Sequence, residues 1–275
     1  MNQTIAGSRF ASSAAAAPLA QTTSTQALTA SRLSKSFGGL AALSDVSLSL
    51  EPGEVHGIIG PNGSGKTTLL NLLSGYYEPS AGSILFNGEE LANATVQRRA
   101  AIGIARTFQK PRLLGTLSVL DNATLGAWKQ SHTGFFSALL GARSGLAEDK
   151  SLQAHATELL HGVGLGNVIH RRAGLLEHAE QRFLEIARGL ALKPRFILLD
   201  EPAGGLTHAE IGHLADIIRT IQAAGIGVLL VEHHTDFVFR ICDRVTTLNV
   251  GRMLKHGTPA EVRNDPEVIR VYLGA

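Results

Sequence analysis

The sequence predicts an α/β fold with a parallel sheet, and three observations carry that expectation. Val55-His56-Gly57-Ile58-Ile59, Phe196-Ile197-Leu198-Leu199 and Gly227-Val228-Leu229-Leu230-Val231 are short apolar runs of strand length. Runs that are apolar throughout suit strands covered on both faces, and helical stretches between them suit parallel pairing. From Asn93 to about Lys193 such runs vanish and helical periods dominate, as in Leu152 to Leu165. That stretch therefore reads as a helical subdomain, about residues 96–190, inserted into the sheet.

In chain order, Met1 to Gln26 is rich in Ala, Ser and Thr, with Arg9 its only charged residue. Its faint apolar run is broken by Ser12, Ser13 and Pro18, so residues 1–27 read as a disordered extension rather than a targeting signal. Residues 28–275 read as one domain. Ser31 to Leu50 alternates partly between apolar and polar, and Glu51-Pro52-Gly53-Glu54 makes a turn before the strand at Val55. Gly60 to Gly65 is a glycine-rich loop, and Thr67 to Leu73 is a helix with four leucines. Ser83-Ile84-Leu85-Phe86 reads as a strand ending at the Asn87-Gly88 turn. Ser131 to Gly145 is punctuated by Gly and Ser and reads as a loop or irregular insert. Ala209 to Ala224 is a helix between the last two apolar runs.

Composition excludes several classes. With 44% hydrophobic and 17% charged residues, the 275-residue chain has material for a core and is not disordered throughout. A net charge of +2 gives no field that marks a nucleic-acid binder. Cys242 is the single cysteine, so an internal disulfide framework is excluded. No run reaches the ~18 apolar residues that a membrane-spanning helix needs.

The strongest chemical signal is Gly60-Pro61-Asn62-Gly63-Ser64-Gly65-Lys66-Thr67, which fits G-x-x-x-x-G-K-[ST] at every fixed position, after a strand and before a helix. Glycines let main-chain amides turn inward around phosphate oxygens, and the helix that follows adds its positive end. Lys66 supplies charge for the β- and γ-phosphates, the Thr67 hydroxyl can ligate Mg²⁺, and Thr68 offers a further hydroxyl. A Rossmann loop fits worse, because its third glycine would fall at Thr68. Far downstream, the strand Phe196 to Leu199 ends in Asp200-Glu201. An acid at a strand tip beside such a loop can hold Mg²⁺, often through water, and its neighbour can orient or deprotonate an attacking water. Together the two motifs define a P-loop site for a nucleoside triphosphate with Mg²⁺, and the resemblance that follows implies that the nucleotide is ATP.

The residues around these motifs resemble the ATP-binding cassette ATPases, over nearly the whole chain from Leu28 onward. Thr107-Phe108-Gln109 is similar to that family's glutamine loop, which implies that Gln109 approaches Mg²⁺ and water and senses the membrane partner. Glu232-His233 resembles the switch histidine, which implies contact between His233 and the γ-phosphate. Gly204-Gly205-Leu206-Thr207 occupies the place of the loop that crosses the dimer interface. Phe37 stands where the family stacks an aromatic on adenine; a core phenylalanine is the other reading. Phe37-Gly38-Gly39-Leu40, Arg106-Thr107-Phe108-Gln109, Leu184-Glu185-Ile186-Ala187-Arg188 and the ending Asp265 to Gly274 look like the importer ATPases that serve branched-chain amino acids and related polar solutes. The resemblance implies an antiparallel β portion near the N-terminus. It also implies a second cassette in a nucleotide-sandwich dimer, transmembrane permease partners, and a peripheral place on the cytoplasmic face of the inner membrane.

One departure stands at the family's signature, where Leu-Ser-Gly-Gly-Gln aligns with Leu176-Glu177-His178-Ala179-Glu180. Glu177 would bring a carboxylate toward the phosphate held by the partner cassette, unless it turns to solvent or caps its own helix. This favours a heterodimer with one competent and one degenerate site, although a homodimer stays open; the alternative is a cassette that binds nucleotide with little or no hydrolysis. Among weaker signals, His233 and His234 would point to opposite faces of an extended segment, and the eleven histidines read as solvated or core rather than metal-binding. Arg98-Arg99, Arg106, Lys110 and Arg112 read as a solvated face. Phe135, Phe136, Leu139 and Leu140 form an apolar cluster, either a local core contact or a face toward the membrane partner.

Overall fold

Two sheets share one α/β body in the computed structural model, which describes residues 26–127 and 143–273. The strands β1 (Leu28–Phe37), β2 (Leu40–Leu50), β4 (Ala81–Phe86) and β5 (Glu89–Glu90) form an antiparallel sheet in the order β2-β1-β4-β5. The second sheet has six strands, β3 (Val55–Ile59), β6 (Ile104–Arg106), β7 (Phe196–Asp200), β8 (Gly227–Val231), β9 (Arg244–Asn249) and β10 (Arg252–Gly257). Its order is β10-β9-β3-β8-β7-β6, with every pair parallel except the edge hairpin β9-β10. The parallel sheet, the antiparallel N-terminal portion and the strands at Val55, Phe196 and Gly227 all match the expectation from sequence. Strands β3, β7 and β8 are buried at every position, which explains why their sequences lack alternation.

Helix α1 (Lys66–Leu73) lies under the antiparallel sheet, where Leu69, Leu70, Leu72 and Leu73 pack with Leu28, Leu33, Val46, Leu50, Phe86, Leu198 and Leu229. The opposite face of the parallel sheet carries the larger core. There Ile197, Leu199, Val228 and Leu230 meet side chains from α3 (Val119–Ala127), α4 (Arg143–Gly162), α5 (His178–Leu190), α6 (His208–Ala223) and α7 (Thr235–Ile241). Each of these two layers removes a continuous apolar face from water, at roughly 25 cal/mol per Å². A short α2 (Val96–Ala101) precedes β6, and α8 (Pro259–Arg263) and α9 (Pro266–Leu273) close the chain.

Several expectations need correction. The stretch expected to be free of strands contains β6, which joins the edge of the parallel sheet through Ile104–Phe196, Ala105–Ile197 and Arg106–Leu198 pairing. Three residues are too few to register as a periodic run. The insert expected from Ser131 to Gly145 ends earlier, because residues 143–145 already belong to α4; its remainder, with the Phe135 to Leu140 cluster, lies outside the described residues. Ala27, assigned to the extension, is buried beside β1. The basic residues Arg98 to Arg112 are not a uniformly solvated face. Arg99 is 1% exposed, and its guanidinium donates to the main-chain carbonyls of Leu72 and Leu73 at the end of α1 and of Leu91 and Ala94 between β5 and α2. Among the described residues, no helix is long and apolar enough to cross a membrane.

Candidate functional site

Parallel strands deliver their C-terminal ends to one edge of the sheet, and the site is built there. β3 ends at the glycine loop, β7 at Asp200-Glu201 and β8 at Glu232-His233, while β6 runs into Thr107-Phe108-Gln109. β3 and β7 flank β8, so the loop and both acids meet although they are separated by well over a hundred residues. Gly60, Pro61, Asn62, Gln109, Glu201, His233 and Tyr272 line one cavity of about 360 Å³.

The loop has the form of a cradle. Gly60 has φ +153°, and a Cβ there would stand 2.2 Å from the Leu248 carbonyl and 2.5 Å from Ser64 Oγ. Gly65 leads into α1 with φ +104°, a left-handed conformation that favours glycine, and Gly63 has open space around it. Ser64 Oγ is buried with no hydrogen-bond partner among the described residues. Lys66, 6% exposed, lays its ammonium on the Gly60 and Pro61 carbonyls at 2.7 and 3.0 Å. Burial pulls its pKa down, while Glu201 and Asp200 pull it up. An unpartnered hydroxyl, an ammonium held only by carbonyls and an open glycine turn fit a polyphosphate. Thr67 is exposed at the first turn of α1, and Thr68 is half-buried beside it.

The acids are held by polar partners within the site. Asp200 is 4% exposed, and Arg106 Nη2 donates to its Oδ2 at 3.0 Å. Burial pushes Asp200 above its ordinary pKa, and Arg106 works against that push. Glu201 has φ +48°, which is uncommon for a residue with a side chain and turns its carboxylate into the cavity beside Gln109. Gln109 Nε2 donates to Glu201 Oε2 at 2.7 Å, leaving the amide oxygen free. His233 Nδ1 stands 3.9 Å from Glu201 Oε2 and 3.9 Å from Glu232 Oε2. Glu232 is fully buried and accepts the Ala203 amide at 2.6 Å, which fixes the start of the Gly204-Gly205 loop. For Mg²⁺, the oxygens of Thr67, Gln109 and Asp200 are hard donors of the right class.

Phe37 closes β1 and is 42% exposed, edge-on to Tyr77 at 5.1 Å, so it is not a core phenylalanine. His233 and His234 do not point to opposite faces as expected: their rings lie 4.4 Å apart, because the chain leaves β8 and turns into α7 at His234. Glu177 is exposed at the cap position of α5, and its amide donates to the Glu180 carboxylate at 2.9 Å. His178 Nε2 lies 3.0 Å from the Gly204 carbonyl.

Sequence reasoning missed two parts of the site. Arg106 was placed in a solvated stretch, yet it is sealed between Asp200, Asn71 and Ser74. The second part is a stripe on α5. Arg182 donates to the Phe108 carbonyl at 3.3 Å, Glu185 accepts the Phe108 and Arg112 amides at 3.2 and 3.4 Å, and Arg188 donates to the Arg112 carbonyl at 2.5 Å. Spacing of three residues puts these side chains on one helix face, a pattern visible in the sequence once the facing loop is known.

A parallel sheet with a phosphate cradle, a strand-tip acid and a polarising carboxylate defines a P-loop nucleoside triphosphatase. A family profile described as "ABC transporter" matches residues 43–204, and one described as "Branched-chain amino acid ATP-binding cassette transporter" matches residues 256–275. The chain belongs to the ABC transporter family, as one of its ATP-hydrolysing cassettes. It is 40% identical over 239 residues to the high-affinity branched-chain amino acid transport ATP-binding protein LivG of Escherichia coli strain K12, covering 86% of this chain and 94% of that one. It is 37% identical over 248 residues to the corresponding protein BraF of Pseudomonas aeruginosa, covering 90% and 97%. Among solved structures, a nucleotide-free ATP-binding cassette from an ABC transporter superposes with a TM-score of 0.77 at 30% identity, over 90% of this chain and 99% of that one. A cassette in its ADP conformation gives 0.78 at 29% identity, over 90% and 98%.

Proposed function

We propose that this chain is the ATP-hydrolysing subunit of an importer for branched-chain amino acids or related small polar solutes, bound to permease subunits at the cytoplasmic face of the inner membrane. The observation that carries this reading is the single cavity shared by the glycine loop, Gln109, Glu201 and His233. Its support for the solute is the likeness to LivG and BraF.

The chemistry follows from what each group is free to do. Lys66 exchanges the Gly60 and Pro61 carbonyls for β- and γ-phosphate oxygens, with the amides from Asn62 to Thr67 around them and Thr68 adding a hydroxyl. Thr67, Asp200 and Gln109 hold Mg²⁺, which supplies neutralising charge on the phosphates when it is bound with ATP. Gln109 leaves Glu201, whose carboxylate then takes a proton from the water that attacks the terminal phosphate. His233 donates to that phosphate, and Phe37 stacks on adenine. In a head-to-tail dimer each nucleotide is completed by the other cassette's signature. Glu177 is exposed at the N-cap of α5 in a capping box with Glu180, so its carboxylate has a place in solvent and on its own helix, and the serine hydroxyl of the usual signature is what this chain does not offer the partner's phosphate. The altered signature favours a different cassette with an intact signature as the partner, and a homodimer is the other arrangement.

The test is ATP binding and turnover in the assembled transporter. Lys66→Ala should weaken ATP binding by about tenfold or more, because a charge-assisted contact is lost. Glu201→Gln should keep binding and abolish turnover. The same change at the partner's catalytic acid should leave most turnover in place. Full activity in Glu201→Gln, or ATP binding with no turnover in the wild-type assembly, would overturn the hydrolytic reading.

A further inference from the structure

The chain's last helix brings a phenol to the catalytic cavity. Asp265 caps α9, accepting the amides of Glu267 and Val268 at 2.9 and 3.2 Å, and Lys255 on β10 holds the other carboxylate oxygen at 3.0 Å. Val268 is 4% exposed and joins the larger core, so the helix is seated against the body. Tyr272 follows Val268 by four residues and lies on the same face, one turn further on. It lines the cavity with Gln109, Glu201 and His233, at the end of the loop formed by Gly60, Pro61 and Asn62. The Gly60 amide hydrogen-bonds the phenol, and burial pushes its pKa up to about 12. It therefore stays a neutral donor at any pH at which the enzyme works. The Gly60 and Pro61 carbonyls are also the place where Lys66 rests. The phenol thus stands at the terminal-phosphate end and not at the adenine end, which Phe37 marks.

We propose that Tyr272 is a further catalytic residue, whose hydroxyl donates a hydrogen bond to a terminal-phosphate oxygen. The segment 256–275, which matches the branched-chain family profile, supplies that donor through α9. The inference rests on the hydrolytic reading above. Its logic is charge balance: Asp200 and Glu201 place two carboxylates near a polyphosphate, and a neutral donor adds stabilisation with no charge to desolvate.

Two measurements on the assembled transporter test this, with Tyr272→Phe beside the wild type. Tyr272→Phe should lower kcat by about five- to tenfold with KM for ATP within twofold, as expected for a donor that strengthens in the transition state. Its thermal midpoint should match the wild type. Independently, 3-fluorotyrosine labelling of this chain alone, before assembly with unlabelled partner subunits, gives one fluorine resonance for each of its three tyrosines. The resonance missing in Tyr272→Phe should shift when ATP is added without Mg²⁺. The proposal is overturned if kcat stays within twofold of the wild type, if it falls only with a matching loss of thermal midpoint, or if the resonance does not move. Absence of turnover in the wild-type assembly would instead overturn the hydrolytic reading, and this proposal with it.

Discussion

Arg106 and Asp200 show how one buried ion pair positions the acid proposed above for Mg²⁺. Both side chains are nearly sealed from solvent, at 7% and 5% exposure. Burial pushes the Asp200 carboxyl above its ordinary pKa, and the guanidinium 3.0 Å away opposes that push; Arg106 Nη1 donates to Asn71 and Ser74, while its Nε is buried with no partner among the described residues. Arg106→Met removes the charge and keeps the volume. It should cost about 3 kcal/mol of stability, because a buried charge loses its partner. The acid limb of the pH–rate profile should move to higher pH, because Asp200 then protonates more easily. Denaturant titration and the pH–rate profile measure the two effects, and unchanged values in both would refute the assignment. The two partners also differ in how well they read from sequence. Asp200 is legible because a strand of apolar residues ends at it. Arg106 is not, because its partner lies 94 positions away and nothing local marks an arginine as buried.

Elements with a repeating pattern were legible in the sequence, and short ones were not. β3, β7, β8 and α6 appear within a residue or two of their expected bounds, since the three strands are apolar runs of strand length bounded by turn or acidic residues and α6 carries a helical period. The hairpin β9-β10 and helices α7 to α9 were not anticipated as elements, although the ending itself resembled the family. β9 contains two buried threonines, Thr246 and Thr247, which read as polar in a one-dimensional pattern. Helix α5 illustrates what an element adds to a site. Its stripe Arg182, Glu185 and Arg188 grips both the amides and the carbonyls of the loop that carries Gln109. The same helix begins at Glu177 and His178, so the loop that carries Gln109 and the start of α5 are joined through one rigid element. Glu185→Ala leaves the Phe108 and Arg112 amides without their acceptor, at a cost of about 1–3 kcal/mol. Hydrogen exchange at those two amides should accelerate by about tenfold or more, while amides of β7 and β8 keep their protection. Equal exchange in variant and wild type would show that the stripe does not hold the loop.

At the scale of the whole molecule, two buried groups, His56 and Glu185, contribute opposite slopes to the dependence of stability on pH. His56 sits between the sheets. Its Nδ1 donates to the Ser49 carbonyl, so its Nε2 accepts from the Thr246 hydroxyl at 2.9 Å, and Thr246 in turn faces His256 Nδ1 at 2.9 Å. Burial lowers its pKa from 6.5 to about 4, against the pull of Glu54; His256 and Arg244 reinforce the lowering. Between those values the unfolded chain holds a proton that the folded chain does not. Stability at this site is therefore full above pH 6.5 and falls as pH drops toward 4, by about 3 kcal/mol. Glu185 behaves in the opposite sense. Burial raises its pKa from 4.5 to about 7, although Arg188 and the loop amides oppose the rise. Here the folded chain holds the extra proton, so stability is full below 4.5 and falls as pH rises through 7, again by about 3 kcal/mol. Between pH 4.5 and 6.5 the two slopes oppose each other, and the wild-type contribution from this pair is nearly flat. Single variants separate them. Relative to wild type, His56→Gln should gain stability steadily as pH is lowered from 7 to 4, and Glu185→Gln should gain as pH is raised from 4.5 to 7.5. Urea midpoints across that range measure both differences. Variant-minus-wild-type curves that do not change with pH would mean that neither group titrates as its surroundings require.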